Sequence, residues 1–109
     1  MPDQTDTAAS AYGEIIDLDR LVHEPARLVI MTVLTAADAD FLFLLRQTGL
    51  TKGNLSSHLS KLEQAGYVAI DKTFEGKIPR TLCRLTDTGR RAFQGYRAQL
   101  NRAISNLPG

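Results

Sequence analysis

Three glycines, Gly49, Gly66 and Gly76, divide the middle of the chain into two short helical segments and a hairpin, and that order restricts the fold more than any other feature. Ahead of Gly49, the segment Phe41 to Thr48 carries Phe41, Leu44 and Leu45 on one helical face behind Asp40, a good N-cap. Beyond it, Thr51 caps a helix in which Leu55, Leu59 and Leu62 form one apolar stripe. Leu50 before the cap and Leu55 four positions after it have the spacing of a hydrophobic staple. Gly66 stops that helix. Tyr67 to Phe74 and Ile78 to Leu85 are then enriched in β-forming residues on either side of the turn Glu75-Gly76-Lys77, which gives a hairpin with a basic tip.

The flanks are helical in pattern. Glu14 to His23 offers Ile15, Leu18, Leu21 and Val22 at helical spacing, and Pro25 suits the first turn of a second helix running to about Thr35, followed by a linker from Ala36 to Ala39. Thr86 or Asp87 begins a last helix to about Leu107, whose Phe93, Tyr96, Leu100, Ala103 and Leu107 step by 3, 4, 3 and 4. Residues 1–12 are small and polar and read as a frayed tail, leaving residues 13–109 as one domain, which is what 109 residues allow. Two helices joined through Gly49-Leu50 are the layout of a helix-turn-helix, and the hairpin directly after them supplies a wing. The expected fold is therefore α+β, mostly α, with a β-hairpin wing and a long C-terminal helix.

A net charge of +1 hides an asymmetry along the chain. Residues 1–50 hold three arginines against eight carboxylates, a balance of −5, while residues 51–109 hold ten basic residues against four acids, a balance of +6. A polyanion would be met by the second half. The longest apolar stretches, Leu28 to Leu34 and Phe41 to Leu45, fall far short of the roughly 20 residues a membrane span needs. The acidic N-terminus does not resemble a secretory signal, so a cytoplasmic protein is expected. Cys83 stands alone, and with His23 and His58 it makes too small a ligand set for zinc or a soft metal. Its place between Leu82 and Arg84 on the second wing strand predicts a buried small side chain rather than a reactive thiol. No nucleophile-and-base arrangement and no phosphate-cradling glycine loop stands out, so neither catalysis nor a cofactor is expected.

With Leu55, Leu59 and Leu62 turned inward, the other side of that helix presents Gly53, Asn54, Ser57, Ser60, Lys61 and Gln64, with Lys52 and Ser56 at its edges. Short side chains near a helix start let the backbone approach base edges in a major groove. Thr51 and Lys52 with the free N–H groups of the helix start suit a phosphate, and the Asn54 amide suits adenine. On the hairpin, Lys72, Thr73, Lys77, Arg80 and Thr81 are placed to meet phosphates or the minor groove, with Glu75 as an opposing charge. Taken singly, each of these faces also fits an ordinary solvated surface; together they favour DNA. His58 sits on the flank of the helix, where packing with a hydrogen bond is expected.

The run from Gly49 to Phe93, GLTKGNLSSHLSKLEQAGYVAIDKTFEGKIPRTLCRLTDTGRRAF, resembles winged helix-turn-helix transcriptional regulators of the MarR and ArsR kind, most closely their short single-domain relatives. The resemblance extends over about Leu18 to Leu100. It implies that Leu50 to Gly66 contains the recognition helix, that Lys72 to Arg80 is the wing, and that Leu85-Thr86-Asp87-Thr88-Gly89 opens the C-terminal helix. The expected function is that of a sequence-specific double-stranded DNA-binding regulator, a repressor, acting as a homodimer. Ile15, Leu18, Tyr96, Leu100, Ala103 and Leu107 are the expected dimer interface, because the last apolar stripe is longer than one small domain needs. The helices have room for an effector crevice, although no effector is readable. The alternative is a winged-helix protein-interaction module without DNA binding, in which the acidic first half meets a basic partner.

Overall fold

The computed structural model describes residues 12–108. Helix α1 spans Pro25–Ala36. The Glu24 side chain accepts the Arg27 N–H at its start, and a proline occupies the first turn, where a missing N–H costs nothing. A two-residue strand β1, Ala39–Asp40, leads into α2, Phe41–Thr48. Asp40 caps α2 by accepting the Phe43 N–H at 2.8 Å, and Gly49 closes it with a left-handed φ of 67° that an L side chain would resist. Helix α3, Lys52–Gln64, starts at Thr51, whose hydroxyl accepts the Asn54 N–H. Strands β2, Val68–Glu75, and β3, Ile78–Leu85, form the hairpin, and α4, Asp87–Ser105, follows the Thr86 cap.

The sheet is antiparallel in the order β1-β3-β2. In the hairpin Val68 stands opposite Leu85 and Glu75 opposite Ile78, so the turn is Gly76-Lys77 alone. Ala39, expected as linker, and the capping residue Asp40 also pair with Cys83 and Leu82. A strand of two residues is too short to show alternation, which is why the pattern hid it. The core gathers Ile30, Met31 and Leu34 from α1, Leu44 from α2, the three leucines of α3, Val68, Cys83 and Leu85 from the sheet, and Phe93 and Tyr96 from α4.

The expected helix from Glu14 to His23 is not formed as a unit. Residues 12–16 are helical, and the chain from 17 to 24 runs through turns and bends. The Asp19 carboxylate accepts the backbone N–H groups of Leu21 and Val22 at 2.9 and 3.3 Å, a local alternative to helical hydrogen bonding. Leu18 and Val22 are buried all the same, because a turn can deliver both to the core. Arg27, buried on α1, holds this segment in place: its Nε donates to the Leu21 carbonyl at 2.5 Å and a terminal nitrogen to that of Arg20 at 3.4 Å. The expected frayed tail lies outside the described residues except for Tyr12, which is helical.

The C-terminal stripe also divides differently from expectation. Leu18, Tyr96 and Ala103 are buried within the single chain, with the Tyr96 hydroxyl 2.6 Å from His23 Nδ1, and so leave no side-chain surface for a second copy. Ile15 and Leu100 are half-buried against the core, and Leu107 is half-buried. Ile16 and Ile104 are instead the exposed large aliphatic residues at this end. Gln99 of α4 donates to the Asp17 carbonyl at 3.4 Å, which sets the segment around Ile16 beside the second half of α4.

Candidate nucleic-acid interface

The burial of Leu55, Leu59 and Leu62 fixes the rotation of α3, and everything on its far side follows from helical geometry. Thr51, Lys52, Gly53, Asn54, Ser56, Ser57, Ser60 and Lys61 are all exposed. No carboxylate lies among them; the acid of the helix, Glu63, comes near its end. A Cβ built on Gly53 would meet nothing among the described residues within 4 Å. His58 turns away from this face: its Nδ1 lies 3.0 Å from an Arg27 guanidinium nitrogen and 3.9 Å from the Glu24 carboxylate. Guanidinium only donates, so Nδ1 accepts, and the flank of α3 is tied to the start of α1.

Register assigns the wing residues to two faces, because directly opposed residues of an antiparallel pair share one. Ile70, Lys72 and Phe74 with Pro79, Thr81 and Cys83 form the inner face. Its base borders a cleft against α3 lined by Ser56, Leu59, Ser60, Glu63, Ile70, Lys72 and Thr81, together with Phe41. Asp71, Thr73 and Glu75 with Ile78, Arg80 and Leu82 form the outer face. Lys72, Thr73, Lys77 and Arg80 are exposed and Thr81 is half-buried. Lys72 and Thr81 thus share the cleft with α3, whereas Thr73 and Arg80 look away from it.

Arg80 is not a free cation. Its guanidinium lies 3.5 Å from Asp40 on β1 and 3.5 Å from Glu75 across the hairpin. These are long, partly exposed pairs and add little stability, but they hold the acid of the wing tip on the outer face. The Cys83 thiol is wholly buried beneath the sheet. Loss of water pushes its pKa up to about 11, helped by the carboxylates of Asp40, Glu63 and Asp71. One feature of the site escaped the sequence reading: Phe74 stands exposed at the wing tip, while Ser60, expected on the exposed side of the helix, also lines the cleft. Strand alternation counted from the turn would have put Phe74 and Lys72 on one face. Among the described residues no three His, Cys, Asp or Glu side chains gather to hold a metal ion. Nor is any described helix long and apolar enough to cross a membrane.

The family model described as a winged helix DNA-binding domain matches residues 26–104. A solved transcriptional regulator homologue from Pyrococcus horikoshii OT3 is 31% identical and superposes with a TM-score of 0.79 over 88% of this chain and 95% of that one. An uncharacterized protein of Methanocaldococcus jannaschii is 30% identical over 90 residues, 81% of this chain and 97% of its own length. A transcriptional regulator of the MarR family from Enterococcus faecalis V583, 20% identical with a TM-score of 0.66 over 94% of this chain and 87% of that one, shares the fold.

Proposed function

This chain belongs to the winged helix DNA-binding domain family, and from that premise we propose that it is a sequence-specific transcriptional regulator, a repressor, that binds double-stranded DNA as a homodimer. The observation that carries the reading is the exposed, acid-free face of α3 from Thr51 to Lys61. Among the described residues nothing packs against Gly53 to require a glycine, whereas a duplex pressed against the helix start would. In this reading Thr51 and Lys52 hold a phosphate, Asn54 reads adenine, Gly53, Ser56 and Ser57 admit the groove edge, and Lys61 meets the backbone. The cleft beside α3 receives the sugar-phosphate strand that separates the two grooves, with Lys72 and Thr81 on its wing side. Thr73, Lys77 and Arg80 flank the wing tip, and Arg80 exchanges its long carboxylate pairs for a phosphate.

Dimerisation uses Ile15, Leu100 and Leu107 with Ile16 and Ile104, in place of the buried Leu18, Tyr96 and Ala103. Two copies of α3 related by a two-fold axis would read half-sites about one turn of DNA apart, so a pseudo-palindromic operator is expected. Occupying such a site excludes other proteins from it, which is the basis for proposing repression. The role needs no catalytic step and no cofactor, and it belongs to the cytoplasm.

The test is selection of bound duplexes from a random pool, followed by affinity at two salt concentrations for the wild type and for Lys52→Ala/Asn54→Ala/Arg80→Ala. Each phosphate neutralised contributes about 0.9 to the slope of log affinity against log salt. The triple variant is expected to keep its melting curve, lose sequence preference and show a shallower slope. Unchanged binding by the variant would mean the face is wrongly assigned, and no binding by the wild type at low salt would favour the protein-interaction module.

A further inference from the structure

At the wing tip two large apolar side chains remain in water, Phe74 with 69% of its surface exposed and Ile78 with 70%. The hairpin register sends them to opposite faces: Phe74 lies opposite Pro79 on the inner face, and Ile78 opposite Glu75 on the outer one. A two-residue turn closes on a hydrogen-bonded pair, Glu75 with Ile78, so the next pair outward from the turn is not hydrogen-bonded. That is where a proline, having no N–H to exchange, fits without loss, and where opposed side chains approach most closely. Pro79 therefore backs Phe74 with a stiff ring.

The inner face then has an order. Ile70 and Cys83 belong to the core side, Lys72 and Thr81 to the cleft against α3, and Phe74 and Pro79 come last, about 7 Å beyond Lys72 at the rise of a strand. If the cleft receives one sugar-phosphate strand, the side chain one step farther out stands over the adjacent minor groove. The tip is framed by Lys72, Lys77 and Arg80, while the Glu75 carboxylate is held by Arg80 on the opposite face. A protein-docking patch gathers several apolar side chains on one surface. Here each face shows one large apolar group, and on the inner face Phe74 stands beside Lys72 with no carboxylate among the paired strand residues, which suits a wedge.

We propose that Phe74, backed by Pro79, is an apolar wedge that enters the minor groove beside the site read by α3, partly unstacks one base step and bends the duplex. The proposal rests on the DNA-binding reading above and adds deformability to what the protein selects. Pyrimidine–purine steps unstack most readily, so they are expected at the wing positions of the bound site although no side chain hydrogen-bonds to them.

The experiment uses a duplex selected from a random pool by the wild-type chain, with donor and acceptor dyes at its ends and 2-aminopurine at the step under the wing, located by footprinting. Wild type should raise the 2-aminopurine emission and shorten the end-to-end distance. Phe74→Ala, which removes an exposed side chain and should melt as wild type does, is expected to lose the emission change and most of the bend. It should also bind about fivefold or more weakly with the salt slope unchanged, since no phosphate contact is removed. Lys72→Ala should do the reverse, lowering the slope by about 0.9 while keeping the emission change. Binding by Phe74→Ala with the same bend and emission as wild type overturns the wedge and leaves the DNA reading standing. Failure of the wild type to bind any duplex overturns both.

Discussion

Arg27 and Cys83 show how unequal the record of a single residue in the sequence is. Arg27 counted there as one charge of an acidic half, yet it is buried and its guanidinium reaches the carbonyls of Arg20 and Leu21 and the ring of His58. Those partners are brought together by the turn at 19–24 and by α3, and no spacing rule anticipates a contact of 31 residues' separation. Cys83 was legible, because a small sulfur side chain between Leu82 and Arg84 on a strand beside the core has few other places to go. Its burial has a pH consequence whose sign is fixed. The folded pKa of about 11 lies above the ordinary 9.0, so the folded chain keeps the proton longer than the unfolded one. The stabilisation is whole below pH 9 and is lost as pH rises through 11. The stability advantage of wild type over Cys83→Ala, measured by urea unfolding, should shrink by about 2 kcal/mol between pH 8 and pH 11. A gap that stays constant would show that the thiol ionises as readily in the folded protein as in the unfolded one.

Among the elements, those defined by local signals were read with little error. Asp40, Thr51 and Thr86 each cap the helix expected of them, and Gly49, Gly66 and Gly76 all have left-handed φ values where the chain turns. The exposed side of α3 was legible for the same reason, since three buried leucines fix the rotation of the whole helix. The expected helix at 14–23 failed because a carboxylate, Asp19, competed for the backbone, and apolar spacing does not register such competition. The junction of β2, β3 and α4 was visible only in part. The Thr86 hydroxyl accepts the Gly89 N–H at 2.9 Å and donates to the Gly66 carbonyl, while the Thr86 N–H donates to the Tyr67 carbonyl. A Cβ on Gly89 would stand 2.0 Å from that Tyr67 oxygen and 2.8 Å from its carbonyl carbon. Alanine is the better helix former by roughly 1 kcal/mol, but the obstacle is backbone and cannot rotate aside. Gly89→Ala should therefore destabilise the protein by about 2–3 kcal/mol in thermal or urea unfolding. A neutral or stabilised variant would mean that α4 can shift away from the Tyr67 backbone without loss.

For the whole molecule, the homodimer proposed above depends on what α4 leaves uncovered. The heptad-like stripe of α4 suggested an interface running through Tyr96, Leu100, Ala103 and Leu107, but the periodicity could not say which of these the chain would bury against itself. Tyr96 and Ala103 are spent in this way, whereas Ile104 is 56% exposed and Ile16 63% exposed, near the point where Gln99 of α4 reaches the Asp17 carbonyl. Neither side chain contributes to the core, so replacing one should leave the fold intact and act on association alone. Ile104→Lys introduces a charge that a dimer seam would have to bury unpaired, a cost of several kcal/mol, against almost none on a monomer surface. The variant should elute and scatter as a monomer with an unchanged melting curve at low concentration. It should bind a single half-site as wild type does and a two-half-site duplex far more weakly, because the second contact is no longer tethered. A dimer that survives Ile104→Lys would place the two-fold axis elsewhere, and with it the spacing between the two copies of α3.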